Sequence, residues 1–178
     1  MEFSAVIVAA GAGVRAGAGE AKQWRRLAGR PVARWSAEAL LEAGARELVV
    51  VVGHGQEALA RGALAGLPRL TLARGGETRS ASVKAGLAAL SAAGDAPVLI
   101  HDAARPLLRS EHVRRLLDAL ETDAAAILAL PLADTLKRDD GEGRIAATPD
   151  RAGLWRAQTP QAFRLGALRA AFAAWPEG

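Results

Sequence analysis

The sequence contains no cysteine among its 178 residues, which excludes disulfides, cysteine nucleophiles and thiolate-bound metal sites. It begins with no charged-then-apolar leader, and no apolar run approaches the ~18 residues that would cross a membrane. Tyrosine is absent and aromatic residues make up only 4% of the chain, so few rings are available for stacking on nucleic-acid bases. These absences predict a cytoplasmic protein that does not bind a membrane, and we expect no nucleic acid among its partners, although an RNA-binding domain stays an alternative.

What is present predicts one globular domain. Hydrophobic residues make up 51% of the chain and charged residues 24%, values that are typical of a folded domain with a core. Five short apolar runs are typical of buried strands, and helical patterns alternate with them. These runs lie at residues 6–8, 48–52, 70–72, 97–100 and 124–130. This alternation predicts a doubly wound, mainly parallel α/β sheet, in which ligands bind at the carboxyl ends of the strands. We expect residues 1–178 to form that single domain.

A glycine-rich loop follows the first strand directly. Four glycines oppose a helix here because each has a high backbone entropy: Gly11, Gly13, Gly17 and Gly19. Arg15 and Lys22 add two cations in and just after the loop. A loop of this kind brings backbone N–H groups and fixed charge close to an anion, so it predicts a polyphosphate site. Taken alone, an ordinary strand-to-helix loop remains the alternative.

Two better-known phosphate loops do not fit. The P-loop requires Ser or Thr after its lysine, whereas Gln23 follows Lys22. Gly11, Gly13 and Ala16 match the loose dinucleotide fingerprint, but that fingerprint requires a helix that begins directly on its glycines. The later glycines interrupt any such helix, and we therefore reject the dinucleotide interpretation.

The string A-A-G-x-G-x-R followed by K-Q resembles the start of the cytidylyltransferases that make 4-diphosphocytidyl-2-C-methyl-D-erythritol in the non-mevalonate isoprenoid pathway. Sugar-nucleotide pyrophosphorylases begin in a similar way, so the match depends on the later motifs. The resemblance implies a Rossmann-like nucleotidyltransferase sheet, with Arg15 and Lys22 as catalytic cations. It also implies that CTP binds along the loop, at Ala9, Ala10, Gly11, Ala12 and Gly13.

The second motif is G-G-x-x-R-x-x-S, at residues 75–82. A plain turn with Thr78 as the cap of the next helix explains this pattern without any ligand. The family has the same motif, and the resemblance implies that Gly76, Glu77 and Ser82 line the cytosine pocket. Relatives often have Asp where Glu77 stands.

The third motif, H-D-A-A-R-P, matches the family residue for residue. Asp102 follows a buried strand directly and faces the phosphate loop, which is where a Mg²⁺ ligand is expected; a turn cap is the alternative. By resemblance Asp102 binds both Mg²⁺ and the substrate, and the Ala103 backbone lies beside the ribose. We expect Arg105 to brace the turn and His101 to be structural, and we expect Ser110 to cap the helix that follows.

A polar segment at about residues 134–150 reads as a hairpin that protrudes from the domain. Exposed strand edges are usually paired, so the segment predicts a homodimer arm, which the family also has. The string D-R-x-x-L-W-x-x-Q-T-P-Q-x-F follows at residues 150–163 and is specific to the family. The resemblance implies that Arg151 is a catalytic residue that clamps a substrate phosphate, and that Thr135 and Thr159 bind the substrate. We expect Trp155 and Phe163 to be packing residues.

The motifs together predict a transferase that joins CTP and 2-C-methyl-D-erythritol 4-phosphate with Mg²⁺ and releases pyrophosphate. The family's C-terminal segment, which includes a lysine for the substrate phosphate, is absent from this sequence. Three alternatives remain: a cytidylyltransferase for ribitol 5-phosphate, a CTP-binding protein without turnover, and a basic RNA-binding domain, which the net charge of +4 allows.

Overall fold

The computed structural model describes residues 1–11 and 21–175. The strands are β1 (Phe3–Ala9), β2 (Arg26–Leu27), β3 (Arg30–Pro31), β4 (Ala45–Val52), β5 (Leu70–Arg74), β6 (Pro97–Asp102), β7 (Ala125–Pro131), β8 (Arg138–Asp139), β9 (Ile145–Ala147) and β10 (Trp155–Arg164). The helices are α1 (Val32–Glu42), α2 (Glu57–Ala63), α3 (Arg79–Ala88), α4 (Ser110–Ala119) and α5 (Leu165–Ala174). No helix in these ranges is long and apolar enough to span a membrane.

The central sheet has six strands in the order β5-β4-β1-β6-β10-β7. Neighbours among β5, β4, β1 and β6 pair in parallel, whereas β10 is antiparallel to both β6 and β7. The middle strands are apolar on both faces, and Val49 to Val52 are at most 1% exposed. This pattern is typical of parallel strands that helices cover on both sides. The predicted doubly wound, mainly parallel sheet is confirmed.

Two hydrophobic clusters cover the two faces of the sheet. The first joins β1, β4 and β6 to α1, α2 and α4, and the second joins them to α3 and α5. Helix α3 packs closely because it has a glycine at the contact. A methyl group at Gly86 would clash with Val6 and lie 2.8 Å from Val51 Cγ2. This close packing holds α3 against β1 and β4.

The prediction of a buried strand at residues 124–130 is right about the strand but wrong about its burial. Strand β7 lies at the edge of the sheet, and Ile127 and Leu130 are 51% and 49% exposed. The reason is β10, which inserts between β6 and β7 and separates β7 from the buried centre.

Strand β10 itself was not predicted. Its register with β7 breaks between Ala157 and Gln161, the stretch that contains Pro160, which has no N–H to donate to a ladder. Phe163 packs on the second cluster as expected. The prediction that Trp155 is a packing residue is wrong for this chain, because its side chain is 62% exposed.

Helix starts were predicted with mixed success. Thr78 caps α3, because its hydroxyl oxygen accepts a hydrogen bond from the Ala81 N–H at 3.0 Å. Ser110 is not a cap; it is the first residue of α4, and Arg109 is the capping residue. The Arg109 N–H donates to His112 Nδ1 at 3.3 Å, so a side chain in the first turn satisfies this backbone donor.

Strands β8 and β9 form the predicted hairpin as a separate two-stranded sheet. Its turn is held by Asp139 and Asp140, whose carboxylates accept backbone N–H groups from residues 141–144. These donors, that of Glu142 above all, lower the pKa of Asp140. The hairpin is exposed along its length, so residues 134–150 form an arm outside the domain core.

Candidate active site

The candidate site lies where the strand order reverses. From β1 the chain passes to β4 and β5 on one side, and β6 then pairs with the other side of β1. The carboxyl ends of β1 and β6 are therefore neighbours, with Val8 beside Asp102. A crevice opens at such a switch point and is the usual ligand site of this architecture.

A cavity of about 440 Å³ occupies this position. All the predicted nucleotide-site residues in the described ranges line it: Ala9, Ala10, Gly11, Lys22, Gly76, Glu77, Ser82, Asp102 and Ala103. Three motifs that are far apart in the sequence therefore meet at one place. The predicted binding residues Ala12 and Gly13 and the predicted catalytic Arg15 lie outside the described residues.

Gln23 ties the two ends of the glycine loop together. Its side chain is buried, and Nε2 donates to the carbonyl oxygens of Ala9 at 2.7 Å and Gly11 at 2.9 Å. Trp24 is also buried, and its Nε1 donates to Gln56 Oε1 at 3.0 Å. Lys22 precedes these two anchored residues and lies at the cavity wall. The K-Q pair thus combines an exposed cation with a buried amide that fixes its position.

The turn before α3 approaches the glycine loop so closely that side chains would not fit. A Cβ atom at Gly75 would lie 2.6 Å from Ala10 Cβ and 2.8 Å from Ser82 Oγ. One at Gly76 would lie 2.6 Å from Ala81 Cβ. The buried Ser82 hydroxyl donates to the Gly76 carbonyl at 3.3 Å and closes the turn. Gly75 is therefore needed for the approach to the glycine loop, and Gly76 for the close packing of the turn on α3.

Two arginines hold the carboxylate of Asp102. The Oδ1 atom accepts from Arg79 Nε at 3.2 Å and Arg79 Nη2 at 3.0 Å, and Oδ2 accepts from Arg105 Nε at 3.1 Å. The brace expected from Arg105 is confirmed. Arg79 is a site residue that the sequence analysis missed, although it is the arginine of the second motif. It lines the cavity together with Asp102.

A buried histidine orders the backbone behind Asp102. His101 is 1% exposed, and burial lowers its pKa to about 4, so the ring is neutral near pH 7. Its Nε2–H donates to the Arg105 carbonyl at 3.1 Å, which leaves Nδ1 to accept from the Thr159 hydroxyl at 3.1 Å. Thr159 Oγ1 in turn accepts the Asp102 N–H at 3.1 Å. The structure supports the expectation that His101 is structural.

We expect His101 to make the fold sensitive to acid between about pH 6.5 and 4. The unfolded chain takes up a proton near its ordinary pKa of 6.5, whereas the folded ring does so only near 4. Stability from this residue is therefore complete above pH 6.5 and falls as the pH drops to 4, by roughly 3 kcal/mol in all. The free energy of unfolding, measured against pH, should fall less steeply in His101→Gln than in wild type. His54→Gln, on the surface, is the matched control, and equal slopes for wild type and His101→Gln would contradict the expectation.

The structure does not bring every predicted substrate residue to the cavity of its own chain. Thr135 and Arg151 are exposed at the base of the arm and do not line the cavity. The Arg151 guanidinium donates to the Ala133 carbonyl. Thr159 lies behind the cavity wall, where it contacts the Asp102 backbone. The residues predicted to bind the substrate are therefore split between the cavity and the arm.

The sheet order, the glycine loop and the carboxylate at the switch point are those of an α/β nucleotide-binding enzyme. Comparison with known proteins gives the family. The family model for 2-C-methyl-D-erythritol 4-phosphate cytidylyltransferase matches residues 3–177. The chain belongs to this family of nucleotidyltransferases, as its motifs predicted.

Individual relatives agree with this assignment. A bifunctional enzyme IspD/IspF from Caulobacter vibrioides is 56% identical over 179 residues, which cover 100% of this chain and 47% of the relative. The 2-C-methyl-D-erythritol 4-phosphate cytidylyltransferase of Cereibacter sphaeroides is 47% identical over 100% of this chain and 80% of its own length. The crystal structure of 4-diphosphocytidyl-2C-methyl-D-erythritol synthase from Anaerococcus prevotii has a TM-score of 0.80 at 27% identity and covers 99% of this chain and 78% of that one. The chain thus spans about half the length of the bifunctional relative.

Proposed function

We propose that this chain transfers a cytidylyl group from CTP to 2-C-methyl-D-erythritol 4-phosphate, giving 4-diphosphocytidyl-2-C-methyl-D-erythritol and pyrophosphate. The observation that carries the proposal is the cavity at the switch point, which collects three of the four family motifs. The relatives named for this activity, and the family match over residues 3–177, support the same choice of substrates.

In the proposed reaction the phosphate of the substrate is the nucleophile. Its second pKa is ~6, so it is largely dianionic at neutral pH and requires no general base. The obstacle is that one anion attacks another. Lys22 at the cavity wall, together with Arg15, would neutralise the triphosphate and the charge that develops at the α-phosphorus. Arg151 would hold the attacking phosphate in line.

We propose Mg²⁺ as the cofactor, with Asp102 as its protein ligand. The described residues contain no cluster of three or more His, Asp or Glu side chains that could hold a metal ion. Mg²⁺ is nevertheless commonly held by one or two carboxylates together with substrate phosphates, and Asp102 at the cavity fits that donor set. The ion would supply positive charge at the phosphates.

We further propose a homodimer in which the arm of one chain meets its mate. Large apolar side chains are exposed on the arm and on the segments next to it: Ile127, Leu130, Ile145, Leu154 and Trp155. Exposed apolar side chains beside a protruding hairpin are typical of an interface. A cytoplasmic location and the absence of nucleic-acid binding stay predictions.

Pyrophosphate release tests the proposed function. The purified chain is mixed with CTP, Mg²⁺ and either 2-C-methyl-D-erythritol 4-phosphate or ribitol 5-phosphate. We expect turnover with the erythritol substrate and little with ribitol 5-phosphate. A preference for ribitol 5-phosphate would support the alternative enzyme, and CTP binding without turnover would support a protein that binds CTP only. UTP should be a poor substrate, because a pocket built for the cytosine amino group leaves hydrogen-bonding partners unpaired when that group is missing.

A further inference from the structure

Arg79 makes the closest charge contact in the cavity. It is the first residue of α3, and its Nε and Nη2 atoms both donate to Asp102 Oδ1, at 3.2 and 3.0 Å. The N-terminus of a helix carries partial positive charge, so a cation there is unfavourable unless an anion lies beside it. Asp102 supplies that anion. The Arg79–Asp102 pair is therefore a specific contact, not a charged side chain in open solvent.

The pair leaves part of each side chain available. Arg79 is 48% exposed and Asp102 30% exposed at the side chain, and both line the cavity. The Nη1 group of Arg79 has no hydrogen bond to the described part of the chain. One edge of the guanidinium is thus held by Asp102, while the other can meet a ligand oxygen. Phosphate oxygens are the ligands that a guanidinium fork matches best.

The same contact affects how a cation can bind. A divalent ion on Asp102 would lie within a few ångströms of the guanidinium groups of both Arg79 and Arg105, which already hold the two carboxylate oxygens. Like charges at that range oppose each other. The anionic phosphates of a nucleotide would remove this opposition, because they attract the metal ion and Arg79 alike.

We infer that Arg79 is a further nucleotide-binding residue, and that it makes binding of a divalent cation at Asp102 conditional on a bound nucleoside triphosphate. The inference rests on the proposed function, because it takes CTP as the nucleotide. It predicts effects of opposite sign for Arg79→Gln. The protein should bind a metal ion alone more tightly and CTP less tightly.

Two binding measurements on the whole chain test the inference without any turnover. Mn²⁺ binding without nucleotide is followed by electron paramagnetic resonance, and CTP binding in EDTA by calorimetry. We expect Arg79→Gln to bind Mn²⁺ roughly fivefold or more tightly than wild type, and CTP about tenfold less tightly. Arg79→Lys keeps the charge but loses the fork, so its Mn²⁺ affinity should stay near wild type and its CTP affinity should be intermediate.

Controls separate a local effect from a general one. Arg61→Gln removes an exposed arginine from α2, away from the cavity, and should change neither affinity. Arg79→Gln combined with Asp102→Asn should lose the gain in Mn²⁺ affinity, because the carboxylate that binds the ion has gone. Thermal unfolding of each variant shows that the fold is retained.

The outcomes distinguish this inference from the proposed function. If wild type binds CTP but Arg79→Gln binds Mn²⁺ no more tightly, or binds CTP equally well, the inference is overturned and the proposed function stands. If wild type binds no CTP either in EDTA or with Mg²⁺, the proposed function fails, and the nucleotide role of Arg79 fails with it. Opposite shifts in Arg79→Gln, with Arg61→Gln unchanged, support the inference.

Discussion

Replacement of Lys22 by Ala should lower turnover by about 10²–10³ and change the KM for CTP only slightly. The ammonium group lies at the wall of the cavity, where the proposed α-phosphorus would gain negative charge in the transition state. An interaction that strengthens only in the transition state affects kcat more than ground-state binding. Steady-state pyrophosphate release against CTP concentration measures both quantities. The same result is expected for Arg15→Ala.

A matched control distinguishes this role from a general effect of charge. Arg61→Ala removes an exposed cation from α2, away from the cavity, so it lowers the net charge by the same amount but leaves the cavity wall intact. Its kcat should stay near wild type. A Lys22→Ala enzyme that reached normal turnover at high CTP concentration would show that Lys22 only binds the substrate.

The central sheet could be predicted because its strands are specified locally. Residues 48–52 are a continuous apolar run, which only a strand buried on both faces explains well, and β4 is a buried inner strand between β5 and β1. Strand β10 could not be predicted in the same way. Its sequence includes Gln158, Pro160 and Gln161, which do not favour a strand by themselves. It is a strand because β6 and β7 pair with it on both sides, and that information is non-local.

In the candidate site, too, features specified by local sequence could be predicted, whereas contacts between distant residues could not. Asp102 and the glycine motifs were predicted because short strings identify them. The contact between Arg79 and Asp102 joins residues that are 23 positions apart, on a helix start and a strand end. Only the reversal of strand order brings these two ends together. A buried partner such as Gln23 is equally hard to predict, because its two acceptors are backbone carbonyls that leave no pattern in the sequence.

A mixture of two inactive variants, Lys22→Ala and Arg151→Ala, should recover about one quarter of wild-type activity when their subunits exchange. The expectation rests on the proposed homodimer. Arg151 lies at the base of the arm and does not line the cavity of its own chain, so we expect it to serve the cavity of the mate. In a two-fold dimer each arm would meet the same surface of the other chain.

The activity that the mixture recovers shows whether Arg151 acts on the mate's cavity or on that of its own chain. If Arg151 acts across the interface, every mixed dimer has one site with both lesions and one intact site. Random exchange makes about half of the dimers mixed, and half of the sites in these dimers work, which gives about one quarter of wild-type activity. If Arg151 acts within its own chain, every site keeps one lesion and the mixture stays inactive.

Exchange is confirmed separately by mass spectrometry of isotope-labelled subunits, and an inactive mixture of exchanged dimers would exclude the shared site. Wild type mixed with Lys22→Ala is the matched control, because it should keep about half of the wild-type activity in either arrangement.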